Sequence, residues 1–421
     1  MPHTNHPLSQ SERLEYIKKR LNDSQLNPIE IYTLMDQLSY HSSIHASTHF
    51  PAFGSVHTGF SIEELHLLTL ALVSNHTKLD LSGFVSDKQS TGGALGSRTS
   101  LIVTAIIVAS GFMMPKIASR ANRTPAGTVD VMEVFTHINL IHSQVLKTLE
   151  RARGCIVSDQ ELWNFNHDHF IRFDEPVSFS SFDKIIISLF AKKLLTSVNH
   201  LVIDIPVGKN MLIKKFSDGE TIAHTCIMLG KRFGITVSAD IHEIYEPIGS
   251  GVGVMIEAKD TLEILENNPH RPKKLEDKSI RLAGKLLDIC YKDQKSHLNG
   301  KEVAKEILFS GKALTSFKNI IEAQGGNPDI SSQQLSRPIH TFELKSKKSG
   351  TIYEIDMRNM NTIAKILGAP QDKQAGIHII KHKKDIISNN EVLAEIYAND
   401  IYHFDEAVES LENLPIYTIE N

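Results

Sequence analysis

The sequence predicts a mixed fold in three parts: a small helical domain, a larger mostly parallel α/β domain with helices on both faces, and a C-terminal β-rich α+β domain. Three observations carry this. Apolar residues at helical spacing recur in three segments of the first 80 residues, strand and helix patterns alternate between Lys184 and Ile241, and from about Ser336 short alternating strands replace long helices. A length of 421 residues allows two or three domains at the usual ~100–200 residues each. The expected boundaries are 1–80 for the helical domain, 81–164 and 198–330 for the α/β domain, and 338–421 for the last, after a linker at 327–337.

Residues 1–10 are polar and read as an arm. Leu14, Ile17 and Leu21 give one helical face behind a Ser11 cap, and Pro28–Leu38 gives a second helix after Asn27. Tyr40–Gly59, rich in His, Ser, Gly and Pro, reads as loop, and Ser61–Val73 as a third helix. Further on, Asn139–Arg153 is expected to be a helix with Gly154 as its C-cap, Ser158–Asp168 a polar link, and Lys184–Thr196 a helix. His200–Val207 reads as a strand, Ser217–Phe233 as a helix closed by Gly234, and Ile235–Ile241 as a strand. Helices at Lys278–Tyr291 and Glu302–Gln324 precede the strands His340–Leu344, Gly350–Asp356, Gly376–Lys381 and Val392–Tyr397, with a brief helix at Ile363–Leu367.

Composition removes several classes of function. Hydrophobic content of 41% with 22% charged residues fits a globular chain and decides against disorder. A net charge of −4 leaves no electrostatic footprint for nucleic acid, and short basic runs such as Lys381–Lys384 read as solvated surface. The longest apolar run, Leu101–Met114, is interrupted by Thr104, Ser110 and Gly111 and falls short of the ~20 residues a membrane span needs. Cys155, Cys226 and Cys290 are far apart and include no C-x-x-C pair, so neither a disulfide framework nor a zinc site is expected, and a reducing cytoplasm is the expected compartment. The 21 histidines are scattered without metal-binding spacing, so no metal is expected.

The stretch Asp87–Asp130 carries the chemistry. Lys88-Gln89-Ser90-Thr91-Gly92-Gly93 and Ser119-Arg120-Ala121-Asn122-Arg123-Thr124-Pro125-Ala126-Gly127-Thr128 flank the apolar run with hydroxyls, glycines and cations. Glycines let backbone N–H groups approach an anion, hydroxyls add donors and Lys88 adds charge, which suits a phosphate held at a loop and a helix N-terminus. Taken singly, Gly92-Gly93 reads more readily as an ordinary turn, and Ser100 and Thr128 equally as helix caps. Neither a P-loop nor a dinucleotide fingerprint is present.

The order of these motifs resembles the pyrimidine-nucleoside phosphorylases, in the branch that holds thymidine phosphorylases and AMP phosphorylases. Matches continue at Ile171-Arg172, Ser188–Lys193, Ile203–Gly208, Ile321–Gly326 and Gly368–Ile377, so the resemblance runs from about Ser82 to the C-terminus. It implies phosphorolysis: inorganic phosphate as co-substrate attacks the anomeric carbon of a pyrimidine nucleoside, thymidine among the candidates, and releases free base and pentose 1-phosphate without metal or organic cofactor. The phosphate ligands it implies are Lys88, Ser90, Gly92, Gly93, Ser100, Ser119 and Thr128, with Arg120 and Thr124 in the same stretch. For the base it implies Arg172, Ser188 and Lys192, with Asp183 as the nearest carboxylate able to supply a proton. It also implies that a segment at about 165–197 returns to the helical domain, and that this domain forms a homodimer contact. Partners are then small molecules, nucleoside and phosphate, with neither nucleic acid nor membrane.

Some positions depart from the family pattern. Gln89 replaces a common histidine, Ala118 a phosphate-binding serine, Ser180 a proton-donating aspartate of the AMP phosphorylases and Leu212 a ligand-binding lysine. These departures support a second expectation, a catalytically weakened homologue that binds nucleoside or phosphate as a regulatory or interaction protein. AMP phosphorylase, or a phosphoribosyltransferase of related architecture, are further alternatives.

Overall fold

The computed structural model describes residues 60–74, 76–121, 123–163, 182–335 and 338–420. The two helices and the His-rich loop expected before Phe60 lie outside these residues. The described chain begins α1 (Ile62–Val73), β1 (Ser86–Ser90), α2 (Thr99–Ala109), β2 (Met114–Ala118), α3 (Thr128–Met132), α4 (His142–Ala152), β3 (Gly154–Ser158) and α5 (Gln160–Trp163). Next come α6 (Phe182–Leu195), β4 (His200–Val207), α7 (Phe216–Phe233), β5 (Thr236–Glu243), β6 (Gly251–Val252), α8 (Val254–Leu265), α9 (Lys273–Asp293), α10 (Gly300–Phe309) and α11 (Lys312–Ala323). The remainder is β7 (His340–Lys345), β8 (Gly350–Ile355), α12 (Met357–Ile366), β9 (Gly376–Ile379), β10 (Ile386–Ile387), β11 (Val392–Ala398), α13 (Ile401–Ser410) and β12 (Tyr417–Glu420). Two compact units result, one from Met1–Gly83, Trp163–Asn199 and Thr221–Val237, the other from Phe84–Leu162, His200–Glu220 and Ser238–Asn421.

In the first unit α1 starts at a capping box, with the Ser61 hydroxyl accepting from Glu64 N while the Glu64 carboxylate accepts from Ser61 N at 2.9 Å. Its buried Leu65 and Leu68 face α6, which buries Ile186, Ile187 and Phe190. Phe233, at the end of α7, lies 5.7 Å from Phe190 and 4.8 Å from His66, ring centre to ring centre. The Trp163 indole donates to Thr77 O at 2.8 Å, satisfying its one polar atom.

The second unit is organised by parallel strands. β1 pairs with β4 from Ser86–His200 to Ser90–Asp204, β2 pairs with β3, and a parallel bridge between Val85 and Met113 joins the two sets. With β5 beside β4, the strand order is β3-β2-β1-β4-β5. Connections leave β1 in one direction and β4 in the other, so the carboxyl ends of these two strands flank a topological switch point, where open α/β sheets bind ligands. Nearly every residue of α2 is buried, and Leu101, Ile102 and Ile106 pack with Leu282, Leu286, Phe317 and Ile320 of α9 and α11. On the outer edge, Gln324 Oε1 accepts from Ile156 N at 2.8 Å while its Nε2 donates to Ile156 O at 3.1 Å and His137 O at 2.8 Å. The C-terminal part carries two antiparallel sheets, β6-β9-β11-β7 and β10-β8-β12, as the alternating pattern predicts.

Several elements differ from expectation. The run Leu101–Met114 is not one element: it turns at Gly111 (φ 89°) between α2 and β2. Gly154 is not a C-cap. Arg153 takes the left-handed conformation (φ 56°), and Gly154 opens β3 where a side chain would collide with Val108 and Ile320. The single helix expected over Glu302–Gln324 breaks at Gly311 (φ 80°) into α10 and α11.

Candidate functional site

The β1 strand ends at Ser90 in a loop shaped by Gly92 (φ 93°), Gly93 (φ 90°) and Gly96 (φ 62°), backbone conformations that glycine adopts without a steric cost. Thr91 N donates to Asp204 O of β4 at 3.0 Å, and Gly92 N to the Ser90 hydroxyl at 3.2 Å. A Cβ on Gly93 would stand 3.7 Å from Leu212 N, so the loops after β1 and β4 run side by side. The loop ends at α2, whose N-cap Arg98 makes no side-chain cap, and Ser100 sits in the first turn. The Thr91 hydroxyl is buried with no hydrogen-bond partner among the described residues. Backbone donors at a helix N-terminus, an orphan hydroxyl and glycine N–H groups make a cradle for an oxyanion.

Charge underneath the loop is dense. Lys88 Nζ donates to Thr99 Oγ1 at 2.7 Å and lies 3.4 Å from Asp204, while Lys278 Nζ lies 3.1 Å from the same carboxylate and 3.3 Å from the Ser97 hydroxyl. Burial pushes the Lys88 ammonium down to about 8, against the pull of Asp204. Burial works to raise Asp204, yet Lys278 and Lys88 hold its carboxyl down at about 2. Lys116 on β2 fastens the end of β1, with Nζ 2.6 Å from Lys88 O, 3.1 Å from Gln89 Oε1 and 3.2 Å from Asp87.

The second hydroxyl-rich segment is mostly held by carboxylates. Ser119 donates to Asp159 at 2.7 Å, and Arg120 is clamped by Asp130 at 3.0 Å and Glu133 at 2.7 Å. Thr124 donates to Ala126 O at 2.9 Å, and Asp130 Oδ2 accepts from Ala121 N at 2.6 Å and Gly127 N at 2.9 Å, which fixes the turn before Thr128 at the start of α3. The two segments meet through α8. Its Glu257 is held by Arg98 Nε at 2.5 Å, and its carboxyl is raised chiefly by burial, with a smaller contribution from Asp130.

In the first unit, Ser188 and Lys192 are both buried and lie one turn apart on α6, so they share a face, as their spacing implies. Asp183 Oδ2 accepts from Phe60 N at 2.9 Å. Arg172 and Ser180 lie outside the described residues. Sequence reasoning gave no role to Arg98 or Lys116, although both lie within the motif stretch 87–130, and it missed Lys278 and Glu257, since no local motif marks a residue that reaches the loop from a distant helix. Asp204 had a signal, a lone acid inside the apolar strand 200–207.

Among the described residues, one set of possible metal ligands occurs: Asp204, Asp240 and His242, with ligand atoms within 4.8 Å of one another. Lys88, Lys278, Arg281 and Lys285 already neutralise these carboxylates, an environment that repels a cation. A separate cavity of about 790 Å³, between Glu133–Leu140, α4 and Ala323–Gly326, contains none of the expected site residues. No described helix is long and apolar enough to cross a membrane.

Comparison with known proteins gives the family and the fold. The profile of the family described as "Glycosyl transferase family, a/b domain" matches residues 82–314, and that described as "Pyrimidine nucleoside phosphorylase C-terminal domain" matches 351–417. AMP phosphorylase of Pyrococcus furiosus is 33% identical, over 98% of this chain and 82% of that protein. AMP phosphorylase 1 of Archaeoglobus fulgidus is 30% identical, over 96% and 79%. A protein of Legionella pneumophila with the provisional name thymidine phosphorylase is 31% identical, over 92% and 74%. Among solved structures, anthranilate phosphoribosyltransferase of Thermus thermophilus superposes with a TM-score of 0.56 at 16% identity, over 73% of this chain and 99% of that one, a likeness of fold.

Proposed function

This chain belongs to the pyrimidine-nucleoside phosphorylase family and is an enzyme of the phosphorylase type, and from that premise we propose that it cleaves a pyrimidine nucleoside, thymidine being one candidate, by phosphorolysis. A phosphate oxygen bonds to the anomeric carbon as the glycosidic C–N bond breaks. The electron pair leaves with the base, which takes up a proton, and the products are free base and pentose 1-phosphate. The observation that carries the reading is the uncapped N-terminus of α2 beside the Gly92-Gly93 loop, with the Lys88 ammonium beneath it.

In this scheme Lys88, Ser90, Ser100, Thr128 and the N–H groups of Gly92 and Gly93 hold and aim phosphate, while Ser119 and Arg120 brace the second turn through their carboxylate partners. Lys192, Ser188 and Arg172 stabilise negative charge on the departing base, and Asp183 supplies the proton. Phosphate is the only co-substrate, with no metal and no organic cofactor. The active species is a homodimer paired through the helical unit.

The relatives named AMP phosphorylase favour a second reading, in which the substrate is a nucleoside 5′-monophosphate. A phosphate-dependent assay over thymidine, uridine, cytidine, adenosine and their 5′-monophosphates, reading free base and sugar phosphate, separates the two. Release of base from thymidine or uridine supports the first reading, and release only from monophosphates supports the second. Ligand binding without turnover on any of them would establish a weakened homologue instead.

A further inference from the structure

We infer that Arg98 is an additional ligand of the phosphate anion, aimed by Glu257, an inference that rests on the phosphorolytic reading above. Arg98 is only 7% exposed and occupies the N-cap of α2, the positive end of a helix, where a cation is electrostatically disfavoured. Burying a guanidinium there costs free energy unless its donors are satisfied. Glu257 Oε2 forms an ion pair with Nε at 2.5 Å and is the one ion-pair partner of the guanidinium among the described residues, while Nε itself makes no hydrogen bond there. The terminal N–H groups, which form the fork that suits phosphate in a bidentate geometry, have no partner among the described residues.

The surroundings call for the same ligand. Arg98 lies close enough to Lys88 to disfavour its charged form, and Lys278 reaches Ser97, the preceding residue. Three buried cations, Lys88, Lys278 and Arg98, thus face two buried carboxylates, Asp204 and Glu257. Asp260, three residues on from Glu257 in α8, is raised by burial to about 8 and is neutral at pH 7. An oxyanion at the loop removes the imbalance and caps α2 at once. Glu257 acts through Arg98 and is therefore a positioning residue.

The test uses the full-length protein with inorganic phosphate as the probe. Arg98→Gln is expected to raise the KM for phosphate on the order of 10- to 100-fold, the range lost with a charge-assisted hydrogen bond, while leaving the nucleoside KM unchanged. Arg98→Lys keeps the charge but loses the fork and is expected to fall between the two. Added guanidinium should partly restore phosphate saturation to Arg98→Ala, and Glu257→Gln should raise the phosphate KM while Arg98 remains in place. A merely structural role would shift thermal stability without this split between the two KM values. Folded Arg98→Gln with the wild-type phosphate KM would overturn the inference and leave phosphorolysis standing. Should Arg98→Gln not fold, Arg98→Lys with an unchanged phosphate KM would overturn it equally. Wild-type protein that shows neither phosphate-dependent base release nor stabilisation by phosphate would remove the underlying reading, and the inference with it.

Discussion

Lys116 and Gln89 meet across neighbouring strands, the ammonium 3.1 Å from the amide oxygen, and the same ammonium lies 2.6 Å from the backbone carbonyl of Lys88. A buried cation on β2 therefore fixes the backbone at the point where β1 gives way to the phosphate loop. The position where the family pattern places histidine is used here to hold that cation.

Replacing Lys116 by methionine leaves the Asp87 carboxylate, 1% exposed, without this ion-pair partner. Removing one member of a buried pair costs about 3–5 kcal/mol. Denaturant unfolding of Lys116→Met is expected to show a loss of that size. A loss below about 1 kcal/mol would mean that water or another group reaches Asp87.

Lys88 makes phosphate binding dependent on pH. Its ammonium loses its proton at about 8 in the fold, against an ordinary lysine value of 10.5. The KM for phosphate is expected to climb as pH passes about 8, and Lys88→Met should raise it at pH 7 and flatten that climb. Unfolding takes up a proton between about 8 and 10.5, so this group's contribution to stability rises with pH across that window. A phosphate KM that stays flat from pH 7 to 9.5 would contradict this placement of the charge.

Asp260 has the opposite sign. Its carboxyl keeps a proton up to about 8 in the fold and to 3.8 in the unfolded chain, so unfolding releases a proton between these values and its contribution falls as pH rises from about 4 to 8. Asp260→Asn retains an acceptor for Gly251 N, which Asp260 now holds at 2.8 Å. The substituted protein should match the wild type near pH 4 and exceed it at pH 8. Parallel stability curves over that range would exclude a protonated Asp260.

Lys192 is expected to act on the chemical step. Lys192→Met keeps the apolar stem that α6 buries and removes the charge proposed to stabilise the leaving base. A fall in kcat/KM for nucleoside on the order of 100-fold, with the phosphate KM within about twofold of wild type, is the expected outcome in steady-state assays.

How much of this was legible depends on range. His200–Val207 and the capped helix after Ser61 were readable because apolar spacing and capping are local signals. β1 and β3 were not: they are short parallel strands, largely buried, without the alternation that marks a half-exposed strand. The phosphate segment stood out by composition, since glycines, hydroxyls and a lysine concentrate there. Lys278 and Glu257 reach it from helices more than 150 residues away in sequence, a proximity only the fold creates.

The Gln324 amide has one more effect. Together with Ile138, whose carbonyl receives Ser158 N at 2.8 Å, it occupies both backbone groups of Ile156 and the N–H of Ser158 along the rim of β3. With those groups already spoken for, a stray strand from another molecule loses the middle of the ladder it would need along that side. The sheet ends there by design of a single side chain and one neighbouring carbonyl, which keeps its growth in check without the cover of a whole helix.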